Sequence, residues 1–170
     1  MSVSLYMLFI VIAMFRIRVL LISKRNEQEL LESGGKEYGK IVSKLLAILH
    51  TLFYFCALFE GIYKKVQFDS IGLIGTIIIG LSFFILIRVI QTLGKYWTVK
   101  LIFADKHTLN TNWLFKHIKH PNYFLNIIPE LIGVTLVFHA WYTLLILLMP
   151  YGICLYLRIR EENQLLANLK

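Results

Sequence analysis

The sequence predicts an all-α, polytopic transmembrane protein of about five spans, and three observations predict it. Of its 170 residues, 58% are hydrophobic and the mean hydropathy is +0.67, whereas a soluble domain is about 45–50% apolar. The apolar residues fall in runs near the length, about 20 residues, that a helix needs to cross a bilayer. The 18 lysines and arginines, which give a net charge of +8, gather at alternate ends of those runs. A chain of this length forms one domain.

Val3 to Ile22 reads as the first span, with Arg16 and Arg18 near its end and long enough to snorkel to the headgroups. It lacks the basic n-region and small-residue cleavage site of a signal peptide, so it is expected to be retained. Ser23 to Lys40 is charged and contains Gly34-Gly35, which predicts a loop with room for a short surface helix. Ile41 to Tyr63 is the second span, Lys64 to Ser70 a polar turn, and Ile71 to Ile90 the third span. Gly72, Gly75 and Gly80 lie within that apolar run and predict close helix packing. No strand, Gly-rich turn and helix follow one another, which excludes a Rossmann cofactor fold.

Residues 91–122 form a polar connector, too long for a passive turn. Tyr96, Trp97, Leu101, Ile102, Phe103, Trp113, Leu114, Phe115 and Ile118 give it apolar anchors, so it is expected to fold back over one mouth of the bundle. Tyr123 to His139 is the fourth span and Trp141 to about Leu157 the fifth, with a charged tail from Arg158 to Lys170. The single domain thus comprises three spans in residues 1–90, the connector, and two spans with a tail in 123–170. If Ser23–Lys40 is cytoplasmic, so are the connector and tail, and only Lys64 and Lys65 of the 18 basic residues face outward. This predicts an outside N-terminus and a cytoplasmic C-terminus.

Basic charge in a membrane protein belongs to this bias, and the aromatics lie in apolar runs, so no nucleic-acid partner is expected. Cys56 and Cys154 lie inside spans without CxxC spacing, which indicates neither a disulfide framework nor a zinc site. His107, His117 and His120 have only Asp105 as a nearby acid, so no metal is expected.

Three features are candidates for chemistry, each with a structural reading beside it: a plain helix start, a solvated charge run at a helix end, and an interhelical hydrogen bond. His120-Pro121-Asn122-Tyr123 opens the fourth span, where proline suits a first helical turn and free N–H groups suit a carboxylate or polarised oxygen. Arg158 and Glu162 are spaced i, i+4 and share one helix face at the end of the fifth span. Glu130 lies about two turns into the fourth span, where an ionisable side chain faces a cavity or a partner. Glu60, near the other end of the second span, reads as interfacial.

Together these pieces resemble the isoprenylcysteine carboxyl methyltransferase family of integral membrane enzymes, over Tyr96 to Leu166. The matching segments are His107-Thr108-Leu109-Asn110, Phe115, Lys119, His120 to Tyr123, and Arg158 to Glu162. Ser23 to Glu27, Gly35 and Glu37-Tyr38-Gly39 are similar to the small bacterial members. Many members have Gly-Pro-Tyr-Arg where this chain has Trp113-Leu114-Phe115-Lys116, and arginine where it has Lys119.

The resemblance implies S-adenosylmethionine as donor, with Lys100, His107, Thr108, Leu109, Asn110, Phe115, His120, Pro121, Asn122 and Tyr123 lining its pocket. Glu162 would meet the donor and Arg158 would face the acceptor. It implies O-methylation of a lipophilic acceptor at a bacterial cell membrane, either an alkylpyrone-like polyketide lipid or an isoprenylcysteine carboxylate. A carboxylate acceptor needs no base; for an enol or phenol, Glu130 or a connector histidine is the candidate. An NADPH-dependent sterol-type membrane reductase and a non-catalytic membrane scaffold are the alternatives. The oligomeric state is not legible.

Overall fold

The computed structural model describes residues 1–103 and 120–167. Helix α1 runs over Val3–Glu32, strand β1 over Lys36–Tyr38, α2 over Lys40–Tyr63 and α3 over Ser70–Leu93. A short turn of 3-10 helix, Gly94–Tyr96, leads to strand β2, Leu101–Phe103. A π-helical turn, Asn122–Ile127, opens α4 at Ile128–Phe138, and α5 covers Trp141–Ala167. Helices α1, α2, α3 and α5 are each long and apolar enough to cross a membrane, while 122–138 is a shorter apolar helix. The chain is therefore a polytopic, all-helical membrane protein whose fourth segment falls short of the usual spanning length.

That short segment is the most enclosed. Leu131, Val134, Val137 and Phe138 of α4 are buried, as are Glu130, Gly133 and Thr135. Its tightest neighbour is α3: a Cβ on Gly75 would lie 2.6 Å from the Gly133 carbonyl oxygen, and a Cβ on Gly133 would lie 2.6 Å from Ile79 Cγ1. Close packing was expected of three glycines. Gly75 provides it, Gly72 meets only ordinary contacts at the helix start, and Gly80 faces open space. The outward faces of the long helices carry Ile10 and Met14, Ile77 and Phe84, Ile146 and Met149, all exposed, as lipid-facing surfaces must be.

The structure departs from the sequence reading in three places. Helix α1 does not stop near Ile22 but continues without a break to Glu32. Residues 23–32 are mostly strong helix formers, Arg25 and Glu29 pair at 3.1 Å one turn apart, and no breaker occurs before Gly34-Gly35. The two short strands are likewise new: Lys36, Glu37 and Tyr38 pair antiparallel with Phe103, Ile102 and Leu101. Arg16 does not snorkel outward; it turns inward to Glu130, because a carboxylate sealed in the bundle offers a stronger partner than the headgroups.

One end of the bundle gathers the 64–69 turn, the start of the chain and the α4–α5 corner. Ser2 N–H donates to the Val66 carbonyl at 3.1 Å. Lys64 Nζ donates to the His139 carbonyl at 2.9 Å, and Glu60 accepts from the Tyr142 and Thr143 N–H groups at 3.1 and 2.8 Å. Glu60 thus lies at this end and caps α5, where orphan donors and the helix dipole favour an anion. Asp69 caps α3 through the Gly72 N–H at 2.8 Å. That bond, with His139 beside it, holds the Asp69 carboxyl below the usual range.

A candidate active site at the connector end of the bundle

The opposite end is built by long-range polar contacts. Asn26, near the end of α1, is buried and donates through Nδ2 to the carbonyls of Gly94 and Trp97, at 3.1 and 2.7 Å. Ser23 Oγ accepts the Val99 N–H at 2.9 Å. With the β1–β2 pairing and the buried Trp97, Leu101 and Ile102, these contacts hold residues 94–103 against the end of α1; residues 104–119 of the connector, expected to cover the bundle mouth, lie outside the described residues. Gly39, in the left-handed region at φ 54°, turns the chain into α2. A Cβ there would collide with the Glu161 carboxylate, so α5 leans directly on this turn.

Arg158 is the hub. It is only 3% exposed. Its Nη2 donates to the Val99 carbonyl at 2.9 Å, its Nε to Tyr123 Oη at 3.2 Å, and its Nη1 to Ser43 Oγ. Tyr123 Oη in turn donates to Glu162 Oε2 at 2.6 Å. His120 lies with Nδ1 at 3.3 Å from Glu162 Oε1 and Nε2 at 3.1 Å from Asn163 Oδ1, and its ring stacks on Tyr123 with centroids 5.7 Å apart. The i, i+4 pair Arg158 and Glu162 is therefore joined to the His-Pro-Asn-Tyr segment through one tyrosine hydroxyl. Asn163 also lines a groove of about 350 Å³ with Tyr156, Ile159, Arg160, Gln164 and Ala167, so the cluster borders an open recess on α5.

Lys100 is adjacent but faces elsewhere, pairing with Glu27 at 3.1 Å and lying 3.9 Å from Glu37. The hydrogen bond to Glu27 and the two carboxylate charges hold its ammonium above the ordinary lysine range. Pro121 is buried and Asn122 half-buried at the start of the π turn. His107, Thr108, Leu109, Asn110, Phe115, His117 and Lys119 lie outside the described residues.

Glu130 belongs to a second cluster deeper in the bundle. It is wholly buried, receives Arg16 Nε at 2.6 Å, and accepts the Tyr54 hydroxyl. The Tyr54 ring packs at 5.1 Å against His50, whose Nδ1 lies 2.9 Å from Tyr151 Oη. The structure thus brings Arg158, Glu162, His120 and Tyr123 together and gives Glu130 the interhelical partners that its depth demanded. Sequence reasoning missed Ser43, Asn163, His50 and Tyr151. Three of them had a faint signal: Ser43 and His50 stand seven residues apart in one apolar run, as do Tyr151 and Arg158, so each pair shares a helix face.

The site holds a cation and an anion close together, yet separated by a hydroxyl. Glu162 and Asn163 can accept from an ammonium or from ribose hydroxyls, and Arg158 can balance an oxygen anion. This donor set fits a zwitterionic nucleoside such as S-adenosylmethionine.

Comparisons with known proteins agree in direction. No solved structure matches. An uncharacterized protein of Haemophilus influenzae is 42% identical over 161 residues, covering 95% of this chain and 94% of the relative. The uncharacterized protein YpbQ of Bacillus subtilis is 25% identical over 164 residues, 95% of each chain. The family model for isoprenylcysteine carboxyl methyltransferases matches residues 73–168, which contain Tyr123, Glu130, Arg158 and Glu162. With more than half its length matched, the chain belongs to the isoprenylcysteine carboxyl methyltransferase (ICMT) family.

Proposed function

We propose that this protein is an S-adenosylmethionine-dependent O-methyltransferase that methylates a lipophilic acceptor within the membrane. The observation that carries the reading is the Arg158–Tyr123–Glu162–His120 cluster, four side chains from two matched segments meeting at one end of an apolar bundle. The donor, when bound, supplies a methyl group on a sulfonium cation. Glu162 and Asn163 bind its polar parts, with His120 fixing the Glu162 carboxylate and Lys100 bracing the connector against α1. Arg158 orients the acceptor oxygen and balances its charge, and Tyr123 keeps Arg158 and Glu162 from neutralising each other. The surrounding helices exclude water, which would compete as a nucleophile, and hold the reactants in line. The lipid tail enters between helices, whose outer faces are apolar.

The clustering of most basic residues at the Arg158 end, against Lys64 and Lys65 at the other, supports a cytoplasmic site and an outside N-terminus in a bacterial cell membrane. A reporter fused after Lys170 should be cytoplasmic, and an external signal would reverse this orientation. The activity is tested by incubating purified protein with methyl-labelled S-adenosylmethionine and bacterial lipid extract. Label should pass to an organic-soluble product; its absence, with thermal protection by NADPH instead, would overturn the reading.

A further inference from the structure

Arg158 is held from three sides, and two of its partners stand on helical segments. Ser43 belongs to α2 and Tyr123 to the π turn that opens α4. The third partner is the Val99 carbonyl at 2.9 Å. Val99 lies on a bend outside every described helix and strand, and it is 37% exposed. A segment with so few contacts of its own does not hold a carbonyl in place. Helix α1 does. Ser23 Oγ accepts the Val99 N–H at 2.9 Å and donates to Glu27 Oε1 at 3.1 Å. Glu27 Oε2 pairs with Lys100 Nζ at 3.1 Å. One turn of α1 thus grips the adjacent residues 99 and 100, and the carbonyl between them is the one that Arg158 meets. Asn26, on the same helix face, fastens the approach to this bend through the Trp97 carbonyl at 2.7 Å. Ser23 is polar yet only 1% exposed, and its hydroxyl both donates and accepts within this ring.

We infer that Ser23 is a positioning residue for Arg158, acting through Val99, with Glu27 and Lys100 as its supports. The inference rests on the methyltransferase reading for its effect on turnover. Glu27 takes the Ser23 hydroxyl proton as its hydrogen bond, so a serine lone pair faces the Val99 N–H. Val99 is then fixed, and its carbonyl holds Arg158 Nη2. A planar guanidinium bound only by Ser43 and Tyr123 can tilt about the line joining those two contacts. The third contact fixes the plane, and with it the direction in which the fork meets the acceptor oxygen. Misplacement of such a group by about 1 Å costs up to about 100-fold in rate. Ser23 to Glu27, beyond the apolar run of α1, thereby act on the site without touching either reactant.

The test uses full-length protein in lipid nanodiscs and two readouts. The first needs no donor: phenylglyoxal modification of Arg158, followed by mass spectrometry, with the exposed Arg160 as internal reference. Ser23→Ala speeds modification at Arg158 by about fivefold, the factor that one lost hydrogen bond gives to an opened population, and leaves Arg160 unchanged. Lys100→Met removes the other grip at a side chain 43% exposed, where the fold tolerates it, and acts in the same direction. The second readout is methyl transfer: kcat falls by about tenfold in Ser23→Ala, while calorimetry gives an unchanged affinity for S-adenosylmethionine. An Arg158 rate unchanged in both variants, an equal rise at Arg160, or a loss confined to donor affinity would each overturn the positioning role. A wild type without methyl transfer, whose Arg158 still becomes reactive in Ser23→Ala, overturns the methyltransferase reading and leaves the hold of Ser23 on Arg158 standing.

Discussion

Two clusters in this bundle use the same four residue types. At the connector end stand Arg158, Glu162, Tyr123 and His120; one or two turns deeper stand Arg16, Glu130, Tyr54 and His50. They differ in how the charges meet. In the deep cluster the guanidinium and carboxylate touch directly, and the tyrosine donates to a carboxylate already paired. In the end cluster the tyrosine hydroxyl stands between arginine and glutamate, receiving from one and donating to the other. A directly paired arginine and carboxylate neutralise each other and hold helices together. Charges kept apart by a hydroxyl remain able to bind a charged or polar ligand. The same side chains make a fastener in one place and a receptor in the other.

The largest effect that would break this comparison is on stability. Glu130→Ala leaves Arg16 without its buried partner and should destabilise the protein by about 3–5 kcal/mol, measured by thermal unfolding in detergent. The double variant Arg16→Met/Glu130→Leu should recover most of that loss. Equal damage in the single and double variants would show that the deep pair is not a fastener. In the end cluster the order reverses: Arg158→Lys should lower methyl transfer by about 100-fold, because lysine cannot reproduce a fork bonded to Ser43, Val99 and Tyr123 at once.

Gly133→Ala probes the wall between the clusters and the lipid. Its Cβ must push against Ile79 and the Gly75 carbonyl, an overpacking worth about 1–3 kcal/mol, visible as a lower melting temperature. The smallest effect lies at the far end. Asp69 has a depressed carboxyl pKa in the folded protein, so its stabilisation is present above the unfolded value of about 4 and is lost as pH falls through the folded one. A melting-temperature gap between wild type and Asp69→Ala should therefore be seen at pH 7 and close in acid; a gap independent of pH would contradict the cap.

Local sequence carried what local physics decides. The second span was read to within a residue of its observed start, because apolar length and flanking charge fix it. The Arg158–Glu162 face followed from helical spacing, and the His120-Pro121 start from proline's geometry. The extension of α1 was hidden because charge density in 23–32 looks the same in a loop and on a solvated helix; only the i, i+4 arrangement distinguishes them. The inward turn of Arg16 was illegible for a deeper reason. Its partner is 114 positions away, and no local pattern says which helix will stand opposite. Asn163 escaped for the same reason, since a lone asparagine gains meaning only from what it meets across the bundle.

On the proposed reading Glu162, held off from Arg158 by Tyr123, binds the methyl donor. Calorimetric titration of S-adenosylmethionine into the wild type and Glu162→Gln tests it most directly. The wild type should bind saturably, and the variant about tenfold or more weakly, at an unchanged melting temperature. Equal affinity in both proteins, or no binding by either, would contradict it.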